Sequence, residues 1–237
     1  MVASETGIYE LVRFSGLDIN FMHPGKYKNL LFDFDGTLVN STPLHEAAFR
    51  DVLSDECKEL LTEFSYESIK GSTTENVFRQ LGITNSKKLT RCIAAKQSRY
   101  REFLLEGKLS LLSGALELLT LSRNSDRRVF LVTSGSADSV SLALNVLNLD
   151  KMFEGILTSN DVSLGKPAPD LFLCCLHRFG LSPAMSVAIE DACSGVSAAR
   201  SAGLAVIGVN NPQIAQKADW FYPDLLSLQT AIFDCRL

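Results

Sequence analysis

Residues 30–45 read LLFDFDGTLVNSTPLH, an apolar run that stops on Asp33 and Asp35 with Gly36 and Thr37 directly behind. A strand that only had to end needs one Asp or one Gly, so the pair asks for another reason. Side chains two apart on an extended chain point the same way. Asp33 and Asp35 are therefore expected to face one centre while Phe34 is buried on the opposite side.

Outward from this stretch, similar apolar runs recur: RVFLVT at 128–133, EGILTS at 154–159, SVAIE at 186–190 and LAVIGV at 204–209. Short runs of nearly unbroken hydrophobicity suit strands buried on both faces. Between the later ones lie the helical patterns SADSVSLALNVLNL, PDLFLCCLHRFG and SGVSAARSAG, the last two ending at Gly180 and Gly203, where a left-handed cap is wanted. Strands alternating with helices predict right-handed crossovers and a parallel sheet, an α/β fold.

One interval breaks the alternation. From about residue 42 to 112 only helical patterns occur, LHEAAFRDVL, SDECKELLTEFSY, TTENVFRQLG and SKKLTRCIAAKQSRYREFLLEG. The chain thus divides into an N-terminal extension of unassigned role (1–28), an α/β core (29–41 and 113–237) and an inserted helical domain (42–112). The connections near Thr42–Pro43 and Leu109–Ser113 are candidate hinges.

Composition narrows the partners. A chain of 237 residues, 46% hydrophobic, has room for one large domain carrying a smaller one. Its net charge of −4 gives no overall attraction to nucleic acid or to an acidic membrane, which favours a small charged ligand met by a local cluster. The six cysteines form no C-x-x-C pair and have no histidine at zinc spacing, so they read as small buried hydrophobes, Cys193 among them, in a reducing compartment. MVASETGIYELVRFSG has neither the continuous apolar stretch of a secretory signal nor the character of a transit peptide, and no run approaches a membrane span. The expectation is a soluble cytoplasmic protein; the sequence leaves its oligomeric state open, a monomer being compatible with it.

Ligands of an open parallel sheet bind outside the carboxyl ends of its strands. Four of the five expected strands carry polar groups there: Asp33 and Asp35; Thr133 and Ser134; Lys166 in LGKPAPD; Glu190 and Asp191. Adjacent carboxylates raise each other's pKa unless a cation intervenes. Hard oxygen ligands without His or Cys suit Mg²⁺. Lys166 supplies fixed positive charge for a phosphate and a carboxylate nucleophile, and Thr133 and Ser134 add donors where a helix begins. Together these groups describe phosphoryl transfer through an aspartyl-phosphate.

DFDGTLVNS, LVTSG, GKPAPD and IEDACSGVSAARSAG resemble the four successive motifs of the haloacid dehalogenase superfamily, in particular its β-phosphoglucomutase-like members with a helical cap after the first motif. The resemblance covers roughly residues 28–210, and four motifs in order are far more specific than one. It implies a Rossmann-like core and a closing cap. It implies Asp33 as nucleophile and Asp35 as the acid that protonates the leaving oxygen and then activates water. Thr133 and Lys166 would hold the phosphoryl group; Asp191, Asp33 and the Asp35 carbonyl would ligate Mg²⁺, with Glu190 nearby or acting through water. His45 matches a histidine of sugar-phosphate members and reads either as a contact to the leaving group or as helix surface.

The departures bear on the reaction. Asn40 stands where many relatives carry Asp, outside the bond-making pair. Lys70-Gly71 matches the mutase pattern, but Thr74 replaces an arginine for a distal phosphate and Ser136 a lysine after the second motif. Two lost cationic contacts suit hydrolysis of a monophosphate better than shuttling between phosphorylated states. On the last cap helix Leu89, Ile93, Tyr100, Phe103 and Leu104 form one stripe, and Lys96 falls within it, to be read as a snorkelling stem or as a substrate contact.

Taken alone, D-x-D-G is a common turn and Glu190 and Asp191 are ordinary helix-start acids. The four motifs together outweigh those readings. The expectation is a Mg²⁺-dependent phosphatase of small phosphorylated metabolites, sugar or polyol phosphates. The alternatives are a β-phosphoglucomutase-type mutase, phosphonate cleavage through a Schiff base on Lys70, and a low-turnover phosphate-binding or regulatory module. Against the last stands the retention of four carboxylates that look uncompensated in sequence.

Overall fold

NLLF folds as β1 (Asn29–Phe32), buried along its whole length, and becomes the centre of a parallel sheet. The computed structural model describes residues 23–62, 64–66, 68–69 and 72–233. The other strands are β2 (Arg128–Val132), β3 (Gly155–Leu157), β4 (Ser186–Glu190), β5 (Ala205–Val209) and β6 (Trp220–Tyr222), in the order β3-β2-β1-β4-β5-β6. The five expected strands are all present, and a sixth joins the edge. Trp220–Tyr222 is three half-buried residues long, so it carries no apolar run by which to be recognised.

Between β1 and β2 lie α1 (Thr42–Glu56), α2 (Thr74–Gln80) and α3 (Ser86–Leu105); α4 (Ala115–Asn124) leads into β2. The remaining helices are α5 (Ala137–Val146), α6 (Asp170–Arg178), α7 (Cys193–Ser201) and α8 (Leu225–Phe233). Successive strand residues face opposite layers. Leu30, Phe32, Val129 and Leu131 pack with α4, α5 and α8. Leu31, Phe130, Val132 and Ala188 pack with α6 and α7. Each such Leu or Phe, fully buried, stabilises the sandwich by roughly 1.5–3 kcal/mol.

The helices between β1 and β2 have a hydrophobic cluster of their own, built on Phe49, Leu53, Phe78, Leu89 and Cys92. Tyr100, Phe103 and Leu104 at the far end of α3 belong instead to the sheet-side cluster, so this helix ties the two together. The expected helix over SDECKELLTEFSY does not form. α1 stops at Glu56, Cys57 leaves helical geometry at φ −156° and ψ 54°, and a 3₁₀ turn follows over Lys58–Leu60. The turn brings both Cys57 and Phe64 into the cluster, with the Phe64 ring 5.8 Å from Phe49, which a straight helix would not allow.

The two chain crossings run side by side. Asn40 N donates to Ser110 O and Leu112 N to Leu38 O, both at 2.9 Å, around an antiparallel bridge between Val39 and Leu111. Residues 1–22 of the N-terminal extension lie outside the described residues. Its end is tied to the sheet: Lys28 N donates to Met185 O at 3.0 Å, and the Tyr27 ring meets Trp220 edge-on at 5.9 Å. Cys193 is not core; it is exposed at the start of α7, its Sγ 3.1 Å from Lys217 Nζ, because this turn sits at the open end of the sheet. No described helix is long and apolar enough to cross a membrane.

Candidate active site

β1, β2 and β3 step outward in one direction and β4, β5 and β6 in the other, so the order reverses between β1 and β4, where an α/β sheet opens a crevice at its carboxyl end. Asp33 follows β1 directly, its N–H donating to Ile189 O of β4 at 2.9 Å. Gly36, at φ 81°, makes the tight turn after Asp35 that a side chain would strain.

Lys166 occupies the middle of the crevice, 2% exposed. Its ammonium donates to Asp33 Oδ1 at 2.7 Å, to Glu190 Oε1 at 2.6 Å and to Val132 O at 2.8 Å, which uses all three of its protons. Burial opposes its charge, but the two carboxylates outweigh burial and hold its pKa above the usual lysine value. Burial likewise pushes Asp33 up, against the pull of Lys166, and pushes Glu190 well above the carboxylate range. The sequence suggested four uncompensated carboxylates. Instead Lys166 partners Asp33 and Glu190, and His45 partners Asp35, through contacts between segments far apart in sequence.

Asp33, Glu190 and Asp191 are buried, with ligand oxygens all within 4.8 Å of one another. Fully ionised, three carboxylates against one ammonium leave an excess of two negative charges. An all-oxygen set with that excess fits a hard divalent cation. The Asp35 side chain stands outside this group and turns toward His45. Thr37 Oγ1 donates to Asp191 Oδ1 at 3.5 Å, and Asn211 Nδ2 to the Asp191 carbonyl at 2.9 Å. Asn210, left-handed at φ 63°, donates to the carbonyls of Gly36 and Thr37 at 2.9 and 3.1 Å and so braces the Asp35 turn. These two asparagines escaped the sequence reading, although the pair in VNNPQ at a strand end is a visible signal.

A cavity of about 640 Å³ opens over the crevice, bounded below by Asp33, Asp35, Thr133 and Ser134 and above by the helices that follow β1. Thr133 Oγ1 accepts from Gly135 N at 3.0 Å. Ser134 Oγ is buried with no hydrogen-bond partner among the described residues, a donor awaiting an acceptor at the start of α5.

The helical side supplies a chain of groups. His45 Nε2 lies 3.1 Å from Asp35 Oδ1, and Lys96 Nζ lies 2.8 Å from His45 Nδ1. Burial and Lys96 together lower the His45 pKa, so the ring is neutral; the contacts assign the tautomer that donates from Nε2 to Asp35 and accepts at Nδ1 from the ammonium. Burial alone would raise Asp35, but His45, Ser41 and Lys96 together bring it below the ordinary carboxylate value. Lys96 does not snorkel: it is 5% exposed, and burial pulls its pKa down to about 8. Tyr66 and Tyr100, unmarked by any motif, stack near His45 at 6.3 and 4.1 Å. Thr74 lines the cavity from the start of α2. Lys70 lies outside the described residues.

A doubly wound parallel sheet with this centre at its switch point defines a Rossmann-like α/β enzyme. The chain belongs to the haloacid dehalogenase-like hydrolase family, whose pattern matches residues 30–209. Similar proteins include Protein CbbY of Rhodobacter capsulatus, 31% identical over 86% of this chain and 96% of its own. Fructose-1-phosphate phosphatase YqaB of Escherichia coli (strain K12) is 31% identical over 78% of this chain and 97% of its own. Among solved structures, a hydrolase from Pseudomonas syringae matches 88% of this chain and 99% of its own with a TM-score of 0.76 at 25% identity.

Proposed function

We propose that the protein is a Mg²⁺-dependent phosphatase of small sugar or polyol phosphate monoesters, acting through a phosphoryl group carried on Asp33. The observation that carries this reading is the placing of two neighbouring carboxylates in opposite surroundings within one cavity. Asp33 is held by Lys166 and Asp35 by His45. Environments that separate two carboxylates assign them different tasks.

Lys166 fixes the carboxylate of Asp33 for attack and keeps positive charge where phosphate oxygens arrive. Thr133, Ser134 and the backbone N–H groups before α5 would receive those oxygens. Asp33, Asp191 and the Asp35 carbonyl would hold Mg²⁺, with Glu190 at the edge of the set. The ion supplies charge neutralisation that lets a phosphate dianion approach carboxylates. An arriving dianion raises the proton affinity of Asp35. Lys96 and His45 then provide a path by which Asp35 gains a proton for the leaving oxygen, and Asp35 without it takes a proton from water in the second half.

The cavity supports a monoester over a bisphosphate. Among the described residues Lys96 is the only cation of its helical wall, and its ammonium is already directed to His45, while Glu75 adds an acid. The relative named as a fructose-1-phosphate phosphatase agrees with a sugar phosphate. The deciding assay is phosphate release from a panel of phosphate esters with Mg²⁺ and with EDTA. We expect turnover only with the metal, and a loss of at least about 10³-fold in Asp33→Asn. Unchanged rates in that variant would remove the mechanism, and interconversion of hexose 1- and 6-phosphates without release of phosphate would replace it with a mutase.

A further inference from the structure

Tyr100 lies one helical turn beyond Lys96 on α3, and its ring lies flat on His45 with planes 12° apart. The Lys96 ammonium sits 5.0 Å from the ring centre. These contacts account for the ring, which fixes the plane of the imidazole. They do not account for the hydroxyl. Tyr100 is 3% exposed, and its hydroxyl is buried with no hydrogen-bond partner among the described residues. Such a group is destabilising if left unmet, and a phenylalanine would stack as well without it.

The residue borders the same cavity as Asp35 and Tyr66. Burial first, then the nearness of Asp35 and Tyr66, pushes the phenol well above its usual pKa, so it stays protonated and donates. Its place in the cavity is defined by its neighbours. Lys166 and Thr133 mark the phosphoryl side. On the phosphatase reading Asp35 marks the ester oxygen, and because Tyr100 is stacked on the histidine that contacts Asp35, that reading puts its ring toward the leaving group.

We propose that the Tyr100 hydroxyl is a specificity-determining donor to a substrate hydroxyl on the carbon next to the phosphate-bearing carbon. The inference rests on the phosphatase reading and narrows it, from phosphate monoesters in general to esters with a neighbouring hydroxyl. A site built to bond a hydroxyl rejects the analogue lacking it, because its own polar group is then left unpaired.

The test pairs sorbitol 6-phosphate with its 5-deoxy analogue. The wild-type protein is expected to prefer the hydroxylated ester by about 10- to 100-fold in kcat/KM. In Tyr100→Phe that ratio should collapse toward one, a change that a purely structural ring does not produce. Equal kcat/KM for the two esters in the wild type, or an unchanged ratio in the variant, overturns the proposal; a hydroxyl that meets only water would give either result. Calorimetric binding of both esters to Mg²⁺-loaded Asp33→Asn, with and without Tyr100→Phe, reads the same ratio when turnover is absent. If the wild type releases no phosphate from any ester, the phosphatase reading fails, while the binding ratios still decide the role of Tyr100.

Discussion

Lys166 and Lys96 are two buried ammonium groups with opposite consequences. Lys166 is matched by two carboxylates; removing it in Lys166→Met leaves Asp33 and Glu190 buried against each other. We expect a loss of about 3–5 kcal/mol of stability at neutral pH in urea unfolding without metal. Because burial raises Glu190, the uncompensated carboxylates take up protons as the pH falls, so the penalty should shrink on acidification. Equal stability of variant and wild type at neutral pH would show that water reaches these carboxylates. Lys96 has no carboxylate in hydrogen-bond contact, and its pKa falls from 10.5 to about 8. A lowered lysine disfavours the fold while charged: the penalty, roughly 3 kcal/mol, is complete below about 8 and fades as the pH rises toward 10.5. Activity should run the other way, since the proposed path to Asp35 needs the ammonium. We expect kcat/KM to fall as the pH rises through about 8, and Lys96→Met to show a lower plateau without that limb. The same alkaline limb in the variant would assign it to another group.

At the scale of elements, α7 is set directly on the acidic centre. A Cβ at Gly195 would lie 2.0–2.3 Å from the Glu190 carboxylate, so no side chain fits there without displacing Glu190 from Lys166. Gly195→Ala should weaken Mg²⁺ binding by about 10-fold or more and lower turnover, read by a metal titration of activity; full activity at the wild-type metal midpoint would show that the helix can shift. The small residues of SGVSAARSAG were legible as close packing, but not that what they pack on is a carboxylate. What the sequence does show is local. Strand ends bearing Asp33, Thr133 and Glu190 are marked by the residues themselves, and the stripe containing Lys96 follows from helical spacing. The end of α1, the edge strand β6 and the bracing by Asn210 depend on partners distant in sequence. So do the pairing of Lys166 with Glu190 and the stacking of Tyr100 on His45, which neither spacing nor motif announces.

For the whole molecule, the excess of negative charge at the switch point predicts a stability that depends on a divalent cation. Binding restricted to the folded state stabilises by about 2.7 kcal/mol at a hundredfold excess over Kd. Mg²⁺ should therefore raise Tm, and raise it more at about pH 8 than at about pH 5.5, where protons compete for the raised Glu190. A Tm indifferent to Mg²⁺ and EDTA at both pH values would count against a metal in this cluster. The proposed proton path crosses from one part of the molecule to the other: Asp35 stands on the sheet side, His45 on α1 and Lys96 on α3. The chain leaves the sheet and returns to it at adjoining points, where Val39 pairs with Leu111. An insert whose two ends meet should be replaceable. Transplanting residues 42–110 onto a relative's sheet should carry substrate preference with them, together with the His45 and Lys96 arm of the proposed proton path, while Asp33, Lys166 and Asp191 stay behind with the sheet; in that case selectivity could be inherited, lost or exchanged while the groups that hold the phosphoryl centre remain.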